Sequence, residues 1–176
     1  LQSMAKQYLD ELAKAFPGSV RVTNKRPDNF LYLGLIKALF PNARIIHSKR
    51  QRLDNCLSVY FLRAGTSVSY ATDLGDIAHY YKQHERLMTH WKSLFADDIF
   101  QLSYDKLVLD PEPQIRALLD FLELPWEPAC LEFHTTKNRV KTASIWQVRQ
   151  PLYQKSSGRW KNYQGDITVL LDAFED

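Results

Sequence analysis

The chain has 176 residues, 45% of them hydrophobic and 24% charged, enough apolar material for a buried core and too much for a disordered chain. Its net charge of +3 is modest, its apolar runs fall well short of a bilayer span, and its N-terminus carries no signal-peptide pattern. A soluble single domain without a membrane span is expected. Cys56 and Cys130 lack metal-ligand spacing, so they are expected to be reduced core residues of an intracellular protein.

In chain order, Tyr8, Leu9, Leu12, Ala15 and Phe16 fall at helical spacing and predict a first helix over 3–16, stopped by Pro17-Gly18. Val20-Arg21-Val22 is a short strand candidate. Pro27 fits the first turn of a helix reaching Phe40, ended by Pro41. Lys25 then sits at a strand-to-helix junction. Ala43 to His47 predicts a β-branched strand, and Gln51 to Arg63 a helix with Leu53, Cys56, Leu57 and Tyr60 or Phe61 inward. Asp73 is a good N-cap for the longest helix, whose stripe of Leu74, Ile77, Tyr81, Met88, Trp91 and Phe95 suits a core. Ile99 to Tyr104 predicts a strand, Asp110-Pro111 opens a helix through Leu122, and a short helix over 125–133 follows. The alternation points to an α/β domain with a mainly parallel sheet flanked by helices, whose ligands bind beyond the carboxyl ends of the strands.

The most informative stretch is Ile45-Ile46-His47-Ser48-Lys49-Arg50, with Ser58 eight residues beyond Arg50. An apolar run that ends in cations and passes into an amphipathic segment resembles a buried strand delivering charge to a helix start, a usual place for a phosphate. Eight residues are close to two helical turns, so a helix starting near Gln51 turns the Ser58 hydroxyl toward the pocket of Arg50. The plain alternative is a solvated strand end. From Phe133 to Gly165 the chain holds Lys137, Arg139, Lys141, Arg149, Lys155, Arg159 and Lys161 and no carboxylate. That stretch must face an anion or water, and its weak periodicity suits a long loop over a site.

These pieces together resemble the sulfotransferase family, most closely the bacterial tetratricopeptide-linked sulfotransferases and the tyrosylprotein sulfotransferases. The resemblance implies a P-loop-NTPase-like sulfotransferase fold and a donor, 3′-phosphoadenosine 5′-phosphosulfate (PAPS), with 3′-phosphoadenosine 5′-phosphate (PAP) as product. By the same resemblance, Arg50 and Ser58 hold the 3′-phosphate, and Lys25, in Asn24-Lys25-Arg26-Pro27, contacts the transferring sulfuryl group. Tyr104 lies near the nucleotide. Thr142-Ala143-Ser144-Ile145-Trp146-Gln147-Val148-Arg149 resembles the loop closing over the cofactor, with Ser144 as transition-state serine and Trp146, Gln147, Val148 and Arg149 as further contacts. Gly158-Arg159-Trp160 matches the end of that loop, where the tyrosylprotein enzymes have Lys and this chain has Arg159. The resemblance makes the whole chain, 1–176, one C-terminal, partial sulfotransferase domain, with 135–165 as its basic cofactor-covering loop.

In-line sulfuryl transfer builds negative charge on the oxygen bridging to the departing nucleotide, so fixed cations and hydroxyl donors there lower the barrier. Lys25 and Ser144 are the candidates for that work. No metal is expected, because these groups do the neutralising that magnesium does in kinases, and no His, Cys, Asp or Glu cluster has ligand spacing. The six glycines, at 18, 34, 65, 75, 158 and 165, give no Gly-containing turn after a first strand to hold the 5′-phosphosulfate. The family's glutamate base follows that turn and has no match either. The expectation is therefore a domain missing its first strand and loop, with little or no transfer activity alone. Its partners would be the nucleotide donor and a hydroxyl acceptor (carbohydrate, peptidyl tyrosine or small molecule), in a cytoplasmic bacterial protein with tetratricopeptide repeats upstream in a longer chain. The alternative is a non-catalytic nucleotide- or nucleic-acid-binding module using the basic segment; its affinity would fall across many phosphates as salt rises.

Overall fold

The computed structural model describes residues 1–62, 68–135, 150, 152 and 155–175. They form two compact units, one of residues 1–45 and 83–99, the other of residues 46–82 and 100 onward. The chain is mixed α/β, with a parallel two-stranded sheet flanked by helices.

In the first unit, α1 (Gln2–Ala15) ends where the Phe16 N–H reaches the Leu12 carbonyl at 2.8 Å, just before Pro17. Its apolar stripe buries no residue, although the Tyr8 ring lies 5.5 Å from Phe40. Val20–Val22 forms no strand: Val20 is 97% exposed, and β-branched residues become a strand only beside a ladder partner. A 3-10 turn over Asn29–Tyr32 leads into α2 (Leu33–Leu39). The core here is Leu33, Met88 and Ile99, with Phe30, Ile36, Ile45, Trp91 and Phe95 around it. Trp91 Nε1–H donates to the Phe30 carbonyl at 2.8 Å, and its ring edge occupies the space a Cβ on Gly34 would need, 2.8 Å from Cη2. The buried Lys37 ammonium pairs with Asp98 at 2.7 Å and donates to the carbonyls of Pro41 and Ala43, the latter at 3.3 Å.

In the second unit, β1 (Ile45–Lys49) pairs with β2 (Ile99–Ser103), each strand opening with one residue of the first unit. β1 lies two residues later than the predicted Ala43–His47. It is not fully buried: Ile46 and Ser48 are exposed, because only one face of so narrow a sheet is covered. The helix α3 (Arg52–Phe61) starts as predicted, with the Gln51 side chain accepting from Asp54 N–H at 2.8 Å. Leu53, Cys56 and Leu57 face inward, whereas Tyr60 and Phe61 are about two-fifths exposed, since the apolar face has turned away by the last turn.

The long helix α4 (Leu74–Leu94) is capped by Asp73, whose Oδ1 accepts from Asp76 N–H at 2.9 Å. Its Ile77, Ala78 and Tyr81 join Leu53, Cys56 and Leu57 and three residues near the C-terminus, Ile167, Leu170 and Phe174. The last two belong to α7 (Thr168–Phe174), a helix beyond those expected from the sequence. Two helices follow β2: α5 (Tyr104–Leu109), also unanticipated, and α6 (Pro111–Phe121), with proline in its first turn. The C-terminus of α6 makes the paired bonds Glu123 N–H to Asp120 O and Leu124 N–H to Leu119 O, with Glu123 at φ 55° in the left-handed position that glycine usually takes. The short helix expected over 125–133 is two 3-10 turns, Pro128–Leu131 and Phe133–Thr135, where Pro125 and Pro128 prevent a continuous α-helix. Cys130 is only half-buried.

Candidate functional site

Arg50 follows the last residue of β1 and precedes the N-cap of α3, as a cation at a strand-to-helix corner should. Its Nη2 donates to the Ser156 carbonyl, its guanidinium lies 5.3 Å from the centre of the Tyr104 ring, and its Nε is buried with no hydrogen-bond partner among the described residues. Neighbouring Arg52 donates to the Phe174 carbonyl at 3.1 Å and lies over that residue's ring at 5.0 Å. Among the described residues neither guanidinium is paired with a carboxylate.

Ser58 is exposed on α3, one turn beyond Asp54 on the same face, with Phe61 three residues further on. That face fronts the segment after residue 155. Asp54 accepts from Gly158 N–H at 2.6 Å and Trp160 N–H at 2.8 Å, and Phe61 meets Arg159 with 5.0 Å between guanidinium and ring centre. Arg159 opens a 3-10 helix, Arg159–Tyr163, and also contacts Tyr163, its Nη2 donating to the phenol at 3.5 Å. Arg50 reaches this same segment through Ser156. Thus four predicted residues, Arg50, Ser58, Tyr104 and Arg159, belong to one unit and to elements joined by hydrogen bonds or ring contacts.

Lys25 belongs to the other unit and is exposed. The loop around it is fixed: Asn24 Nδ2–H donates to Tyr8 Oη at 3.2 Å, Asn24 Oδ1 accepts from Asn29 at 3.0 Å, and Arg26 bonds Asp28 through both Nε and Nη2. Ser144, Trp146, Gln147, Val148 and Arg149, and the greater part of the predicted 135–165 loop with them, lie outside the described residues.

Sequence reasoning missed Asp54 and Asp105. Asp105 Oδ2 accepts from Gln51 N–H at 2.7 Å and its Oδ1 from the Ser157 hydroxyl at 2.6 Å. The signal for Asp54 was a carboxylate set among Leu53, Cys56 and Leu57, where a buried charge needs a dedicated partner. An apolar cavity of about 250 Å³ is lined, among the described residues, by Leu102, Leu107, Ile115, Leu118, Phe133 and Leu152, none of them a predicted site residue or charged. Among the described residues no three His, Cys, Asp or Glu side chains are grouped to hold a metal, and no helix is long and apolar enough to cross a membrane.

An arginine at the end of a sheet strand, with no carboxylate paired to it among the described residues, is a feature found in many anion-binding α/β proteins. Comparison with known sequences narrows the class. Residues 1–128 match the sequence profile of the Sulfotransferase family, and the chain belongs to that family. The matched range includes Lys25, Arg50, Ser58 and Tyr104, as well as Asp54 and Asp105. The chain is 42% identical, over its whole length, to an uncharacterized protein of Aquifex aeolicus (strain VF5), of which it covers 24%. It is 25% identical to the protein-tyrosine sulfotransferase of Drosophila melanogaster over 90% of the chain and 33% of that protein. With protein-tyrosine sulfotransferase 1 of Danio rerio the identity is 26%, over 93% of the chain and 52% of that protein. The chain thus spans between about a quarter and about half the length of these relatives.

Proposed function

We infer that this chain supplies the 3′-phosphate-binding part of a sulfotransferase that moves a sulfuryl group from PAPS to a hydroxyl acceptor. The carrying observation is Arg50: a guanidinium at a strand end that, among the described residues, makes no ion pair with a carboxylate and whose buried Nε has no acceptor. A buried donor without a partner is rare in a folded protein, and a phosphate oxygen satisfies it while using the charge. In this reading Arg50 and Ser58 grip the 3′-phosphate, Tyr104 flanks Arg50 near the nucleotide, and Arg159 adds a second cation. Trp146, Gln147, Val148 and Arg149 close over the nucleotide, and Lys25 and Ser144 stabilise the charge that grows on the leaving oxygen.

Of the acceptor classes, the names of the Drosophila and Danio relatives favour peptidyl tyrosine over carbohydrate or a small alcohol. The residues for the 5′-phosphosulfate and for a base are not matched in the 176 residues, so the chain by itself binds PAP and transfers little or no sulfuryl group. Calorimetric titration with PAP and with AMP tests the reading. PAP should bind more tightly than AMP, and Arg50→Ala should lower PAP affinity by about 10- to 100-fold, the range expected for a lost bond between charged groups. Equal affinity for the two nucleotides, or an Arg50→Ala variant that binds PAP as the wild type does, would refute it.

A further inference from the structure

Segment 155–163 is held to the corner between β1 and α3 by three separate clasps. The Ser156 carbonyl accepts from Arg50, the Ser157 hydroxyl donates to Asp105 at 2.6 Å, and the N–H groups of Gly158 and Trp160 donate to Asp54 at 2.6 and 2.8 Å. Asp54 is 2% exposed, and each of its oxygens accepts one of these two bonds. Gly158 has φ 76°, a conformation that costs glycine little and lets its N–H and that of Trp160 converge on one carboxylate. Arg159 lies between the two anchored residues, with its guanidinium set against Phe61 and Tyr163.

We propose that Asp54 is a positioning residue for the nucleotide: by bracketing Arg159 between two charge-assisted backbone bonds, it holds that guanidinium where the 3′-phosphate needs its second cation. The inference rests on the reading of Arg50 and Arg159 given above, and the sign of the effect separates it from a bare electrostatic one. A carboxylate near an anion repels it, so if Asp54 acted only through charge, Asp54→Asn would bind PAP more tightly. As a positioning residue it binds PAP less tightly when altered.

Calorimetry on the full chain with PAP and AMP, for wild type, Asp54→Asn, Arg159→Ala and the double variant, decides the matter. Asp54→Asn should lose about tenfold or more in PAP affinity while AMP affinity stays within about twofold, and Arg159→Ala should add little in the Asp54→Asn background. A folded Asp54→Asn variant that keeps or improves the wild-type preference for PAP, or an Arg159→Ala effect that is fully additive, overturns the proposal. If Asp54→Asn does not fold, Gly158→Ala carries the test, because a Cβ there meets no atom of the described residues within 4 Å and acts on the positive-φ turn. It too should lose PAP selectively, and an unchanged preference overturns the proposal. A wild type that does not distinguish PAP from AMP overturns the parent reading, and this inference with it.

Discussion

Replacing Asp98 by Asn leaves the Lys37 ammonium inside the protein without its counter-charge. The lysine side chain is 7% exposed and the aspartate 31%, so water reaches one partner far better than the other. Breaking a buried ion pair by removing one partner costs about 3–5 kcal/mol. The low end applies here, because the carbonyls of Pro41 and Ala43 still accept from the ammonium and Asp98 is partly solvated already. Asp98→Asn should therefore destabilise the chain by about 3 kcal/mol. Lys37→Met should cost less than about 1 kcal/mol, since it removes the buried charge itself and leaves behind a carboxylate that water reaches. Urea denaturation followed by circular dichroism measures both. With a slope near 2 kcal/mol/M for a chain of this size, the Asp98→Asn midpoint should fall by about 1.5 M and that of Lys37→Met by less than about 0.5 M. Equal losses for the two variants, or losses below about 0.5 kcal/mol for both, would refute the asymmetry on which the argument depends.

Gly34→Ala sets a methyl group 2.8 Å from the Trp91 ring, which its bond to Phe30 and its packing on Phe95 keep from moving. Overpacking should outweigh the gain in helix propensity, giving a net loss of about 1 kcal/mol by urea denaturation, and a stabilised variant would contradict this. Glu123→Gly relieves the left-handed strain at the end of α6 and should raise stability by up to about 1 kcal/mol in thermal unfolding; a lower melting temperature would count against it. Burial, helped by the charge and hydrogen bond of the stacked Tyr80, pushes the Tyr70 phenol from 10.0 up to about 12. Between those values the folded chain keeps a proton that the unfolded chain releases, so this contribution to stability is complete below pH 10 and lost as pH rises toward about 12. Tyr80→Phe should bring the Tyr70 midpoint partway back, as read from phenolate absorbance, and an unmoved midpoint would reject Tyr80 as a cause.

The helices that hold the two cores were legible in the sequence wherever an apolar stripe coincided with a cap. Asp73 before α4 and Gln51 before α3 fall within a residue of where pattern and turn chemistry place them. The strands were less so, since β1 began two residues late and Val20–Val22 formed none. A strand is defined by its partner, and a β-branched run does not name one. α7 carries its own signal, Ile167, Leu170, Leu171 and Phe174 at helical spacing, but it is only seven residues long and has no side-chain cap to mark its start.

At the candidate site, Arg50 and Ser58 were visible from residue type and spacing, and Tyr104 and Arg159 only through the family resemblance. Asp54 and Asp105 were not, because their work is to hold backbone N–H groups and a hydroxyl about 50 to 100 residues away, and no local pattern records a contact of that range. A carboxylate on the inner face of an apolar helix is nonetheless a usable clue. Such a group is kept only where something neutralises or binds it.

The most direct measurement is a diffraction structure of the chain grown with PAP. Density for the 3′-phosphate is expected within hydrogen-bond reach of Arg50 Nε and of the Ser58 hydroxyl, with Arg159 on the same phosphate. A 3′-phosphate bound elsewhere, with Arg50 Nε still without an acceptor, would contradict it.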